Sequence, residues 1–237
     1  ELSRLMCAKL GLVHKSFPSE DRTLVDALFD VFTETGADFT CVFRALAGVK
    51  PFDAESQHEI AHQLAGFSET LEQVKRRVST FTEAQYEMVR MLLRENPAQA
   101  RLYGIDDGAF AKMTAEREQL AKLNAMTDAE RLEAVRAAWG TWIAAYAERL
   151  KEESDFVPDA AKEAQRHALM QRTNPKFVLR NHVAQKAIDF ATAGDSFAVE
   201  NIFKLLTRPF DEGTADDLVY ALPEDPSTPP LCVSCSS

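Results

Sequence analysis

The run TDAERLEAVRAAWGTWIAAYAERL, residues 127–150, is a long helical pattern with a marked start. Thr127 and Glu130 have capping-box spacing, in which the hydroxyl and the later carboxylate each satisfy a free amide hydrogen of the first turn. Leu132, Val135, Trp139, Trp142, Tyr146 and Leu150 then recur every three or four residues, as the apolar stripe of a helix does. Such a stripe either packs against neighbouring helices or holds the helix of a partner.

The same period runs outward in both directions. Leu2, Leu5, Met6 and Leu10 share a helical face that Gly11 ends in a left-handed cap. Ser19 precedes a helix carrying Leu24, Val25, Leu28, Phe29 and Phe32, which stops at Gly36. Asp38 caps the next helix, with Phe39, Phe43 and Leu46 expected inside, and Gly48 and Pro51 break it. A longer helical region is expected from Asp53 through Ile60, Leu64, Phe67, Leu71 and Val74 to Val78, and Thr82 with Gln85 makes a second capping box. Asn96-Pro97 and Asn174-Pro175 each read as an N-cap followed by proline at the first helical position, where its missing N–H costs nothing. The second of these opens a helix over 174–193 that should bury Leu179, Val183 and Ile188. Alanine, leucine and the long polar residues dominate, and valine and isoleucine never alternate in runs. The fold class is all-α, a multi-helix, bundle-like array without a fixed-period repeat.

After Pro209 the period ends, and the sequence becomes rich in Asp, Glu, Pro, Ser and Thr. A helical region over 1–210 is therefore expected to be followed by a flexible acidic tail over 211–237, too poor in apolar groups to offset its ordering entropy. The chain carries a formal charge of −10, of which Asp211, Glu212, Asp216, Asp217, Glu224 and Asp225 supply six units with no Lys or Arg beside them. Nucleic-acid binding needs clustered Lys and Arg to displace counterions, so neither nucleic acid nor an anionic membrane surface is an expected partner. Four cysteines, two of them in helical patterns, do not make a secreted disulfide framework, and a reducing compartment or a mitochondrial matrix suits them better. The chain opens on Glu1 in an already helical stretch with no signal pattern or long apolar span. It is expected to be the back part of a larger protein.

Few patterns carry chemistry. His58-Glu59-Ile60-Ala61-His62 has the form in which two histidines one turn apart bind zinc and the glutamate activates water. Its extension is missing, with Ala65 and Ser68 or Glu69 where glycine and a third histidine belong, and two exposed histidines opposite Ile60 and Leu64 is the plainer reading. Asp38-Phe39-Thr40 resembles a kinase metal loop but lacks its glycine, and Asp38 reads as a cap. No Gly-rich phosphate loop occurs, so no catalytic, cofactor-binding or metal-binding residue is assigned within the chain. Cys232-Val233-Ser234-Cys235 can close a disulfide, supply half a zinc site, present a reactive thiol, or have no role. Cys7 and Cys41, among apolar neighbours, read as core residues.

Several stretches together carry a resemblance: Lys9-Leu10-Gly11-Leu12, Asp38-Phe39-Thr40 with Phe43-Arg44, the Trp139 to Leu150 helix, Asn174-Pro175-Lys176-Phe177-Val178-Leu179-Arg180-Asn181, Gly194-Asp195, Arg208-Pro209-Phe210 and Cys232 to Ser237. In them the chain resembles the carboxy-terminal part of selenoprotein O and its bacterial homologues. The resemblance implies a kinase-like pseudokinase that transfers AMP from ATP to Ser, Thr or Tyr hydroxyls of proteins. It also implies that the ATP and magnesium sites lie upstream and that this segment alone is inactive. The partners it implies are the upstream kinase-like lobe and the protein substrates of AMPylation, in mitochondria for a eukaryotic protein and otherwise in the cytoplasm. Cys235 stands where animal members carry selenocysteine. The resemblance implies that Cys235, with Cys232 nearby, is redox-active and pairs with a cysteine near the kinase-like active site. His182 stands where tyrosine is common, and Pro229-Pro230 replaces a tryptophan often found shortly before the terminus. The rival reading is a noncatalytic helical protein-interaction module.

Overall fold

A computed structural model describes residues 2–13, 18–78 and 80–228. In chain order the helices are α1 (Leu2–Lys9), α2 (Pro18–Thr35), α3 (Phe39–Leu46), α4 (Ala54–Gly66), α5 (Leu71–Val78), α6 (Glu83–Glu95), α7 (Pro97–Leu102), α8 (Asp107–Ala125), α9 (Asp128–Glu153), α10 (Ala160–Thr173), α11 (Asn181–Thr192), α12 (Ser196–Thr207) and α13 (Leu218–Ala221). No strand occurs among the described residues, and the all-α expectation holds. The chain divides into two compact units, one of residues 1–68 and 135–237 and one of residues 69–134.

The helix boundaries follow the caps. Asp38 accepts from the Cys41 amide at 2.8 Å, Asp53 from the Ser56 amide at 3.1 Å, and Thr82 with Gln85 and Thr127 with Glu130 make both bonds of a capping box. Gly11 and Gly36 sit at φ +71° and +63°, the left-handed conformation that ends α1 and α2.

The first unit is built on the face of α9 that the sequence singled out. Val135, Trp139, Trp142, Ile143, Tyr146 and Leu150 are buried in one cluster with Met6 of α1 and Leu10 just after it, Leu24 and Leu28 of α2, Val42, Phe43 and Leu46 of α3, and Leu64 of α4. The polar tips of that stripe find partners, as buried tips must. Trp142 Nε1 donates to the Leu24 carbonyl at 3.0 Å and the Tyr146 hydroxyl to the Leu10 carbonyl at 2.6 Å. Arg149, also buried, lies 2.8 Å from both Asp21 and Glu153, which ties α9 to α2 through charge as well as packing. The second unit has two smaller clusters, one of Leu71, Val74, Val78 and Leu123 and one of Tyr86, Val89 and Met113.

Several expectations need correction. The region from Asp53 to Val78 is two helices, because Thr70 and Gln73 form a further capping box that starts α5 anew. Ser19 lies inside α2, which begins at Pro18. Leu5, Phe29, Phe39 and Leu132 face solvent at the edges of their stripes. Asn174 is not an N-cap. It is the C-cap of α10, is itself buried, and donates its amide to the Lys9 carbonyl at 2.9 Å. Residues 175–180 run on without helix, and α11 starts only at Asn181, so the expected register fails. Val183 is buried, but Leu179 and Ile188 are 64% and 57% exposed. Leu179→Ala in this chain should therefore cost no more than about 0.5 kcal/mol, the range of surface substitutions, rather than the several kcal/mol of a core leucine. Urea denaturation of the variant checks it.

Candidate functional site

The chemistry that the sequence places at the terminus, Cys232 and Cys235, lies outside the described residues. What the structure shows is how the chain leading to those thiols is held. Residues 208–222 form a strap across α3 and the 174–180 turn, and three sets of contacts fix it.

The first is a pair of backbone bonds: the amides of Lys176 and Phe177 both donate to the Pro209 carbonyl, at 2.6 and 3.1 Å. Pro175 leaves these two amides outside any helix, where a single carbonyl can collect them. The second is a charged clasp on Glu212. The Arg44 guanidinium, itself fixed by the Gln171 and Asn174 carbonyls at 2.9 and 3.0 Å, reaches the Glu212 carboxylate. Lys176 Nζ bonds the same carboxylate at 3.0 Å and the Glu212 carbonyl at 2.6 Å. Partial burial acts to raise the Glu212 carboxyl, but the Lys176 bond and the Arg44 and Lys176 charges outweigh it and hold the group below the usual carboxylate range. The turn that follows needs Gly213 at φ +66°, where an added Cβ would meet the Phe177 ring at 2.8 Å.

The third contact covers a thiol. Cys41 Sγ donates to the Ala221 carbonyl at 3.4 Å, and Ala221 is buried against it. Asp38 not only caps α3 but takes Arg180 Nε and Nη2 at 3.1 and 2.9 Å, while Arg180 Nη2 also lies 3.5 Å from Cys41 Sγ. Burial, with the Asp38 charge added, pushes the Cys41 thiol up to about 12 against the opposing pull of Arg180. Cys7 is raised as well, first by burial and then by the Asp21 charge. Neither thiol has the lowered pKa of a reactive cysteine.

The other sequence candidates fall elsewhere. His58, Glu59 and His62 lie on α4, with the histidine rings 4.3 Å apart between centroids. No group of three potential metal ligands occurs among the described residues. The Trp139 to Leu150 stripe is core and offers no surface to a partner. No helix among the described residues is long and apolar enough to cross a membrane. Sequence reasoning missed Arg44, Lys176 and Glu212, and it gave Asn174 the wrong task. Residues 211–228, which composition set apart from the body, carry contacts to it that are made by carbonyls and charges and by the Tyr220 ring beneath Lys186.

The model of one protein family, described as protein adenylyltransferase SelO, matches residues 1–207. The chain belongs to this family. The mitochondrial protein adenylyltransferase SelO of Mus musculus is 34% identical over 98% of this chain, and that of Homo sapiens is 35% identical over 90%. The protein nucleotidyltransferase YdiU of Pectobacterium atrosepticum is 40% identical over 43% of the chain and 20% of its own length. The chain spans about a third of the length of the mammalian SelO proteins, 36% of the mouse one and 32% of the human one. The family match stops where α12 ends, at Thr207, so the strap and the terminal cysteines lie beyond the matched residues.

If the Glu212 clasp holds the strap down, Glu212→Gln should let the strap open more often and expose Cys41. The pair is largely exposed on the Glu212 side and screened accordingly, so the expected effect is a several-fold faster alkylation of Cys41, about 1 kcal/mol of local opening. Peptide mass spectrometry after a timed pulse of iodoacetamide reads it, with Cys7 as the internal reference. Equal labelling rates in both proteins would show that the clasp does not hold the strap.

Proposed function

We propose that this chain is the carboxy-terminal part of a protein adenylyltransferase that transfers AMP from ATP to Ser, Thr or Tyr hydroxyls of proteins. The observation that carries the reading is the SelO family match over residues 1–207, joined by two mammalian relatives named as protein adenylyltransferases. ATP and magnesium are assigned to the part of the protein outside these residues. The upstream kinase-like lobe and the protein substrates are the partners in this reading. The mitochondrial names of the mammalian relatives support that compartment for a eukaryotic bearer.

The role of this segment is to scaffold that lobe and to deliver the terminal thiols Cys232 and Cys235. Support for a terminal redox pair is partly negative: Cys41 lies under the strap and both Cys41 and Cys7 are shifted away from the thiolate. In the reaction two thiols lose two protons and two electrons to a mild oxidant such as oxidised glutathione, and a disulfide forms. In the 237-residue chain oxidised glutathione should close Cys232 to Cys235, and in the full-length protein Cys235 should pair instead with a cysteine outside this chain. Peptide mass spectrometry of the oxidised proteins decides it. Cys235 left free while Cys7 or Cys41 is oxidised would end the redox assignment, and full-length protein that transfers no label from α-labelled ATP to protein would end the enzymatic one. The rival interaction-module reading relied on the Trp139 to Leu150 stripe, which is taken up by the core.

A further inference from the structure

The sequence SFAVENIFKLLT of α12 is apolar on more sides than it buries. Of its residues only Ile202 is fully inside, while Phe197 and Phe203 are 69% and 64% exposed. Packed antiparallel helices that bury one stripe each have no use for two further phenylalanines in water. The left-handed turn at Gly194, φ +79°, brings α11 back alongside α12 and leaves a groove of about 470 Å³ between them, lined by Ala191, Val199 and Phe203. The charged residue on its wall, Glu200, is paired with Lys204 at 3.0 Å, so the groove presents little net charge to a ligand. Ile188, patterned in the sequence for burial, is exposed on α11.

We propose that this α11–α12 groove is the seat of an apolar segment from the part of the polypeptide outside these 237 residues. The inference rests on the reading of the chain as part of a longer adenylyltransferase. The length argument favours an intrachain occupant over a separate protein: the mouse relative devotes only 36% of its length to the matching part, so more polypeptide lies outside this part than within it, enough to cover this face. A groove lined largely by small and apolar residues and Phe203, with its one carboxylate already paired, fits a helix or loop with leucine-like side chains rather than a charged peptide.

The test uses the full-length protein with photoreactive benzoylphenylalanine in place of Phe203, an exposed position, and circular dichroism to show that the fold is kept. Irradiation followed by peptide mass spectrometry should give crosslinks within one molecule, from position 203 to a peptide outside these 237 residues. Crosslinked dimers would mean that a second copy covers the groove. Crosslinks confined to residues 1–237, or none, would mean that nothing upstream reaches it, and each of these three results overturns the proposal. The same preparation is assayed for AMP transfer. A protein that crosslinks as expected but transfers no AMP sinks the enzymatic reading while the groove assignment stands, and active protein without the crosslink does the reverse.

Discussion

Arg166→Ala should destabilise the chain by about 3 to 5 kcal/mol, the range for removing one partner of a buried ion pair. Arg166 is 6% exposed on α10, and its Nη2 donates to the Val49 carbonyl at 2.5 Å and meets the Glu163 carboxylate at 2.9 Å. The Ala47 carbonyl lies 3.4 Å from the same nitrogen, and on the other side Nη1 faces the Tyr146 hydroxyl at 3.4 Å and Met170 Sδ at 3.2 Å. A helix ends with carbonyls that have no partner in the helix, and Arg166 supplies partners to those just past α3. Alanine would strand the Val49 carbonyl away from water. It would also open a void beside Gly11, against which the Arg166 stem packs.

Arg166→Met separates the two causes. Methionine fills most of the stem's volume but donates nothing, so the variant should recover the packing part of the loss and keep the hydrogen-bonding part. Chemical denaturation followed by circular dichroism gives both values. A loss below about 1 kcal/mol for Arg166→Ala would mean that water replaces the guanidinium at no cost, contrary to its burial.

The regular part of this fold was legible in the sequence because helices announce themselves locally. Asp38, Thr82, Asn96 and Thr127 each cap the helix that their spacing predicts, and the Trp139 to Leu150 stripe forms the core. The Thr70 and Gln73 box was equally present in the sequence, but the apolar period running through Phe67 to Leu71 hid the break. What failed was the stretch after Asn174. Asparagine before proline suits an N-cap, yet a side chain that can bond Lys9, 165 residues away, is better used at the end of α10, and no local pattern encodes that choice.

The strap was illegible for the same reason. Its anchors, Arg44, Lys176 and the Pro209 carbonyl, are far apart in sequence and include a backbone group that carries no side-chain signal. Buried arginines were likewise invisible: Arg149 and Arg166 sit in amphipathic helices at positions that composition assigns to solvent, and only their partners on other elements make burial tolerable.

Trp139→Ala should cost about 3 to 5 kcal/mol, as large-to-small changes of buried tryptophan do. The indole is fully buried in the cluster shared by α1, α2, α3, α4 and α9, with Phe32 edge-on at 5.7 Å and Trp142 edge-on at 6.4 Å. Both are T-shaped arrangements, which add to the stabilisation from burial. Its Nε1 donates to Ser68 Oγ at 3.2 Å, and Ser68 in turn donates to the Leu64 carbonyl, so the indole also anchors the end of α4. Two substitutions divide these contributions. Trp139→Phe keeps an aromatic ring against Phe32 but loses the donor and part of the volume, and should cost about 1 to 2 kcal/mol. Ser68→Ala keeps the indole but removes its acceptor, together with the hydroxyl's own bond to the Leu64 carbonyl, and should cost about 1 kcal/mol, the range for a donor left without its partner. Urea titrations of the three variants, monitored by helicity, should rank Trp139→Ala as the most damaging, Trp139→Phe next and Ser68→Ala as the mildest. If Trp139→Ala cost no more than Trp139→Phe, the indole would not be the centre of this core, and the stripe on α9 would again be available to a partner.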